Sequence, residues 1–224
     1  MPFYDTLVAE TAAQREYLLS APIIGDVMEG RFGLDTYLAF LHQAYHHVRH
    51  TTALLDAARE RLSPAQRWLE APLAAYIEEE AGHEAWILDD IEACGENRDT
   101  WAARSPGFAT EMMVAYLYDT VQRGNPTGIF GMVLVLEGTS SNLAPAVAAI
   151  VQERLELPDS AMTYLTTHGE LDQTHIAHFE SVMNRIEDLE DQAAIIHAAR
   201  RVYRLYGDVY RDVPAQATVR AAAA

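Results

Sequence analysis

Three of the nine histidines fall in one short stretch, THGELDQTHIAHF (residues 167–179), with acidic residues between them. Imidazoles and carboxylates at helical spacing can share a metal ion, exchange protons or hydrogen-bond one another. On a helix advancing about 100° per residue, Asp172 lies about 40° to one side of His168 and His175 about 20° to the other. Leu165, Phe179, Val182, Met183 and Ile186 share that stripe, so the three polar residues are predicted to face a core. His178 falls on the flank and Glu170 on the far side. Burying a carboxylate and two imidazoles is costly unless each is paired, so the trio is either a hydrogen-bonded structural network or one wall of a metal site. Composition alone yields His-x3-Asp-x2-His about 0.02 times per chain, which makes chance a poor explanation.

A second candidate is AAYIEEEAGHEAWILDDIEACG. Its apolar stripe runs through Ile77, Ile87, Leu88 and Ile91. Glu80 falls within the stripe, Glu78 and Glu79 outside it, and His83 at its edge. Glu-x2-His is the i, i+3 pair that projects two ligands inward from one turn in bundle-core di-iron sites. A merely solvated Glu-rich face is the plain alternative, and Gly82 can loosen the turn enough to bring Glu79 inward instead of Glu80. The third candidate, Glu137, ends the otherwise apolar run GIFGMVLVLE. A charge there needs a partner, and no Lys or Arg lies within a helical turn of it, so a ligand role competes with an ion pair to another segment.

Together these are three carboxylates (Glu80, Glu137, Asp172) and three imidazoles (His83, His168, His175). A mixed nitrogen and oxygen set without thiolates suits iron or manganese better than structural zinc. Two divalent ions would carry four positive charges against three negative ones. Such a centre attracts O2, its reduced forms or a substrate carboxylate, and six ligands leave coordination positions open.

A further histidine stripe lies in YLAFLHQAYHHVRHT, where His42, His46 and His50 recur every four residues and His47 adjoins them. No carboxylate shares that face. Its expected role is pocket lining or outer-shell support, with Tyr45 and Arg49 as candidates for an anionic substrate group, against plain packing.

The elements that must position these groups are helices. No alternating strand pattern occurs, and helical periodicity predicts segments at 5–19, 34–62, 64–94, 106–123, 127–153, 159–187 and 190–210, with a short one near 21–29. Ser63–Pro64, Asn125–Pro126 and Pro158 mark starts, while Gly30, Gly33, Gly95 and Gly124 mark stops. Residues 1–213 read as one all-α domain of about seven helices, and 214–224 as a frayed tail. A net charge of -17 argues against nucleic acid and anionic membrane surfaces. No uninterrupted apolar run reaches bilayer length, and no signal-peptide pattern opens the chain. The single cysteine, Cys94, excludes an internal disulfide, and the expectation is a reducing cytoplasm.

In order and over most of the chain, YLAFLHQAYHHVRHT, YIEEEAGHEAW, GMVLVLEG and HGELDQTHIAHF resemble the haem-oxygenase-like diiron oxidases, also described as iron-containing redox enzymes. The resemblance implies a single-domain haem-oxygenase-like bundle holding two non-haem irons, with O2 as co-substrate. It also implies oxidation of a small amino-acid- or carboxylate-like molecule, an external electron donor and a homodimer. Members of the family carry out N-oxygenation, carbon–carbon cleavage of amino acids or decarboxylation of fatty acids. Carried over by position, the ligands are Glu80, His83, Glu137, His168, Asp172 and His175. The Glu-to-His gap varies in the family, which keeps Glu79 as the alternative to Glu80. The fold also hosts the metal-free TenA-like enzymes and cofactorless quinone-biosynthesis oxidases. TenA-like chemistry needs an acid where this chain has Ala44 and a cysteine that GIFGMVLVLEG lacks. Haem itself is disfavoured, because the first helix contains no histidine. A non-catalytic binding or regulatory protein is the remaining alternative.

Overall fold

The apolar run that ends at Glu137 forms the centre of the molecule. In the computed structural model, which describes residues 1–223 and the side chains of all but 168–175 and 218–223, it opens α10 (Ile129–Leu155). Ile129, Phe130 and Val135 are fully buried, because α10 lies between α11 (Thr163–Met183) and α12 (Leu189–Ala223). Gly131 permits the approach to α12: a Cβ built there would sit 2.5 Å from the Ala199 nitrogen. With the turn before it, Pro126–Leu155 is long and apolar enough to cross a membrane, with a mean hydropathy of 1.4 over its most apolar window. Its first half is core of this bundle.

The remaining helices wrap this centre. They are α1 (Phe3–Glu10), α2 (Ala12–Leu19), α3 (Pro22–Met28), α4 (Leu34–Val48), α5 (Thr51–Glu60), α6 (Glu70–Glu80), α7 (His83–Ala93), α8 (Arg98–Ala102) and α9 (Phe108–Arg123). Helix α12 packs against α2, α4 and α9, and α7 bridges α4 to α11. One large core runs through Leu54, Tyr76, Phe130, Phe179 and Val202; a second surrounds Tyr37, Leu41, Ile87 and Trp101. The all-α expectation holds, with no strand among the described residues.

The count differs from about seven: the described residues form twelve α-helices and three 3-10 turns. The long segments are the expected ones, broken by local chemistry. Thr11 divides 5–19, its hydroxyl donating to the Leu7 carbonyl at 2.7 Å. A tight turn at Arg49–His50 divides 34–62, where the His50 N–H donates to the His47 carbonyl at 3.1 Å. The segment 64–94 splits into a 3-10 stretch (Pro64–Leu69), α6 and α7; Gly82 separates the two helices at φ 90°, a left-handed conformation natural to glycine. Ser63 and Gln66 close a capping box around that 3-10 start. Helix α8 was not expected; Asn97 caps it by accepting from the Thr100 N–H at 2.8 Å. At the other end, α12 continues into the segment assigned to the tail. Ala217 is buried there, and Gln216 accepts from the Gln43 amide at 2.5 Å.

Candidate metal centre

Helix α6 ends on the residue that matters most. Glu80 is 8% exposed while Glu78 and Glu79 point to solvent, as the apolar stripe of the sequence predicts. The left-handed Gly82 then turns the chain and starts α7 on His83, which is 3% exposed. His83 Nδ1 lies 3.2 Å from Glu80 Oε2, and its ring stacks on Trp86 at 4.1 Å. The Glu-x2-His pair is therefore assembled across a helix break instead of within one turn.

Glu137, also 8% exposed, comes from the middle of α10. Glu80 and Glu137 face one buried cavity of about 50 Å³, together with His47, Tyr76, Ser140, Tyr164 and Tyr206. The described lining offers carboxylate, imidazole, phenol and hydroxyl groups. A second cavity, lined by Tyr4, Arg15, Asn142 and Tyr203, reaches Glu137 from the other side of α10. Arg15 of α2 lines the same cavity as Glu137, a cation that spacing along α10 does not reveal.

His168, Asp172 and His175 belong to α11, but their side chains lie outside the described residues. Leu165, Phe179, Val182, Met183 and Ile186, the apolar members of their predicted stripe, are all buried. His178 is exposed, on the flank as expected. The start of α11 is fixed by Asp90, a fully buried carboxylate of α7. It accepts from the Thr163 N–H and the Tyr164 N–H, each at 2.9 Å. One helix thus carries His83 at its start and caps the neighbouring helix near its end, using the positive end of that helix's dipole. Burial pushes the Asp90 pKa up to about 6, with the two backbone N–H groups pulling the other way.

Tyr45, His46, Arg49 and His50 do not line the Glu80–Glu137 cavity. His46, Arg49 and His50 border a separate, open cavity with Arg104 and Thr110. Tyr45 is buried beneath the Arg49 guanidinium, which lies 5.2 Å from its ring centroid. The histidine of this helix that does face the carboxylates is His47, packed edge-on against Tyr206 at 5.5 Å. It shares a helical stripe with Tyr37, Phe40 and Ala44, a signal that the four-residue repeat of His42, His46 and His50 obscured.

An apolar slot of about 80 Å³ adjoins this site and shares Ser140, Tyr164 and Tyr206 with it. Its other walls include Ile23, Val27, Phe32, Phe40, Leu143 and Val147.

Three carboxylate and imidazole groups in an all-helical site fit iron by donor type. Among the described residues, no group of three or more His, Cys, Asp or Glu side chains is placed to hold a metal by itself. Glu80, His83 and Glu137 are the described members of the donor set expected from the sequence. Cys94 offers no competing chemistry: burial and the neighbouring Asp90 push its thiol up to about 11.

Residues 38–207 match the family described as iron-containing redox enzyme, and the chain belongs to that family. Among solved structures, a domain of unknown function with a haem-oxygenase-like fold from Shewanella denitrificans is 22% identical, with a TM-score of 0.87 over 99% of this chain and 96% of that one. A TenA homologue from Pseudomonas syringae is 12% identical, with a TM-score of 0.77 over 95% and 93% of the two chains. Haem oxygenase-1 from the cyanobacterium Synechocystis, solved with haem, is 9% identical, with a TM-score of 0.75 over 100% and 97%. These likenesses establish a haem-oxygenase-like fold. No curated protein matches the chain.

Proposed function

We propose that this protein is an O2-dependent non-haem diiron oxidase acting on a small organic molecule with a carboxylate or amino-acid-like head and an apolar body. The observation that carries the reading is that Glu80 and Glu137, from separate helices, face one buried cavity beside an apolar slot. Glu80, His83 and Glu137, with His168, Asp172 and His175 of α11, would hold the metal. The irons, when bound, supply the electrons that reduce O2 and the positive charge that draws an anionic head group. The protein's own groups do the rest. The hydroxyls of Ser140, Tyr164 and Tyr206 stand where slot meets cavity and can orient the substrate head by hydrogen bonds. The slot walls exclude water from the body of the substrate. His47 borders the carboxylates and can take or give a proton there.

The test is metal content after anaerobic reconstitution with Fe(II). Wild type is expected to hold about two irons per chain, and Glu80→Gln or Glu137→Gln less than half of that. Full iron retention in both variants, or none in wild type, sinks the reading. Manganese bound at the same stoichiometry would keep the site and change the metal.

Arg15 favours a second reading of Glu137, as half of an ion pair. In that case Arg15→Ala and Glu137→Gln destabilise the fold alike and leave iron content unchanged. A metal-free enzyme of the same fold would instead retain turnover after exhaustive chelation.

A further inference from the structure

In a chain with 16 Lys and Arg against 33 Asp and Glu, every guanidinium has acidic partners to choose from. Arg31, Arg59, Arg98, Arg123, Arg200 and Arg204 take them. Arg49 and Arg104 are among the arginines that do not: neither forms an ion pair with the described residues. Each lies over an aromatic face instead, Arg104 at 4.0 Å from Trp101 and Arg49 at 5.2 Å from Tyr45. Stacking of this kind holds the guanidinium plane while leaving its edge N–H groups for a ligand. Both arginines border the same open cavity, in the company of His46, His50, Ser105 and Thr110.

We infer that this cavity, between the end of α4 and the start of α9, binds the phosphate group of a small phosphorylated molecule through Arg49 and Arg104. Two guanidiniums supply two full charges, which match a phosphate dianion better than a single carboxylate. Helix α9, 16 residues long, directs the positive end of its dipole toward the same place through Pro106 and Thr110. The cavity, about 470 Å³ and open, leaves room for the remainder of the molecule. It is separate from the Glu80–Glu137 cavity and shares no lining residue with it.

The surrounding charges give the site a pH dependence. The groups facing His46 and His50 are His42, Tyr45, Arg49, Arg104, Tyr118 and the exposed Glu111. Burial and Arg49 hold both imidazoles below their ordinary pKa, which favours the neutral form. A bound dianion raises those pKa values, so binding draws protons onto the imidazoles.

The experiment is calorimetric titration of the full chain with inorganic phosphate, glycerol 3-phosphate and acetate at constant ionic strength, at pH 6.0 and 8.0. Saturable binding of glycerol 3-phosphate is expected at both pH values, at least as tight as phosphate. Arg49→Gln and Arg104→Gln should each weaken it by about tenfold or more, whereas Arg31→Gln should not. Both arginines are exposed, so the variants are expected to keep wild-type melting temperatures. Absence of saturation, equal binding of acetate, or wild-type affinity in the arginine variants overturns the proposal. Glu80→Gln should leave this binding unchanged and the arginine variants should leave iron content unchanged, so failure of one site does not read as failure of the other.

Discussion

Glu79 and Glu80 are neighbours in sequence with opposite environments, and that difference is the sharpest residue-level statement the structure makes. Glu79 is exposed, while Glu80 is buried against His83 and the cavity shared with Glu137. Glu79→Gln is therefore expected to leave iron stoichiometry within error of wild type, whereas Glu80→Gln lowers it; metal analysis after anaerobic reconstitution checks both. The reverse pattern would return the ligand role to Glu79. The burial of Glu80 and Glu137 was legible in the sequence, because each lies on an apolar stripe whose period is a property of the helix alone. His47 was not. Its neighbours on α4 are histidines too, and only the arrival of Tyr206 from α12 distinguishes the face that borders the carboxylates. Arg15 was hidden for the same reason, since only tertiary packing brings α2 to a cavity that Glu137 also lines.

Between single residues and the whole molecule, the elements are set by caps and close approaches. Asp90 caps α11 from α7, so Asp90→Ala leaves two N–H groups, that of Tyr164 buried, without that acceptor and should cost about 1–3 kcal/mol, read by chemical denaturation. The sign of its pH dependence follows from a folded pKa raised to about 6 above the ordinary carboxylate value. The folded state holds this proton more tightly than the unfolded one. The stabilisation is therefore fully present below the ordinary value and is lost as pH rises through about 6. Asp90→Asn removes that titration, so the stability of wild type relative to Asp90→Asn should be greater at pH 5 than at pH 7.5. Two glycines of α10 make a contrasting pair. A Cβ at Gly131 would meet the Ala199 nitrogen at 2.5 Å, so Gly131→Ala should destabilise by about 1–3 kcal/mol. Gly138 has nothing within 4 Å, and Gly138→Ala should stabilise by about 0.5–1 kcal/mol through helix propensity. The breaks at Thr11, Arg49–His50 and Gly82 were missed because periodicity persists across them: each turn preserves the buried face while redirecting the axis. Gly82 was the one break with a visible cause.

For the whole molecule, the ordered set of apolar stripes was enough to read an all-α bundle, but not the way distant helices converge. The proposed ligands come from three places: the α6–α7 junction, the middle of α10, and α11. An ion bound by all of them would cross-link segments that the unfolded chain keeps far apart, so its binding energy would appear as folding stability. With free metal at a hundredfold excess over its dissociation constant, one site adds about 2.7 kcal/mol. For a chain of this size that corresponds to a melting temperature higher by about 5–11 °C. Anaerobic Fe(II) should produce this rise in wild type, and Mn(II) a rise of the same sign, since the donors are nitrogen and oxygen. A Glu80→Gln/Glu137→Gln double variant should show almost none, while Arg49→Gln should show all of it. Thermal melts with and without metal check the set. A wild-type melting temperature indifferent to both ions would mean that these helices are held together by packing and hydrogen bonds alone.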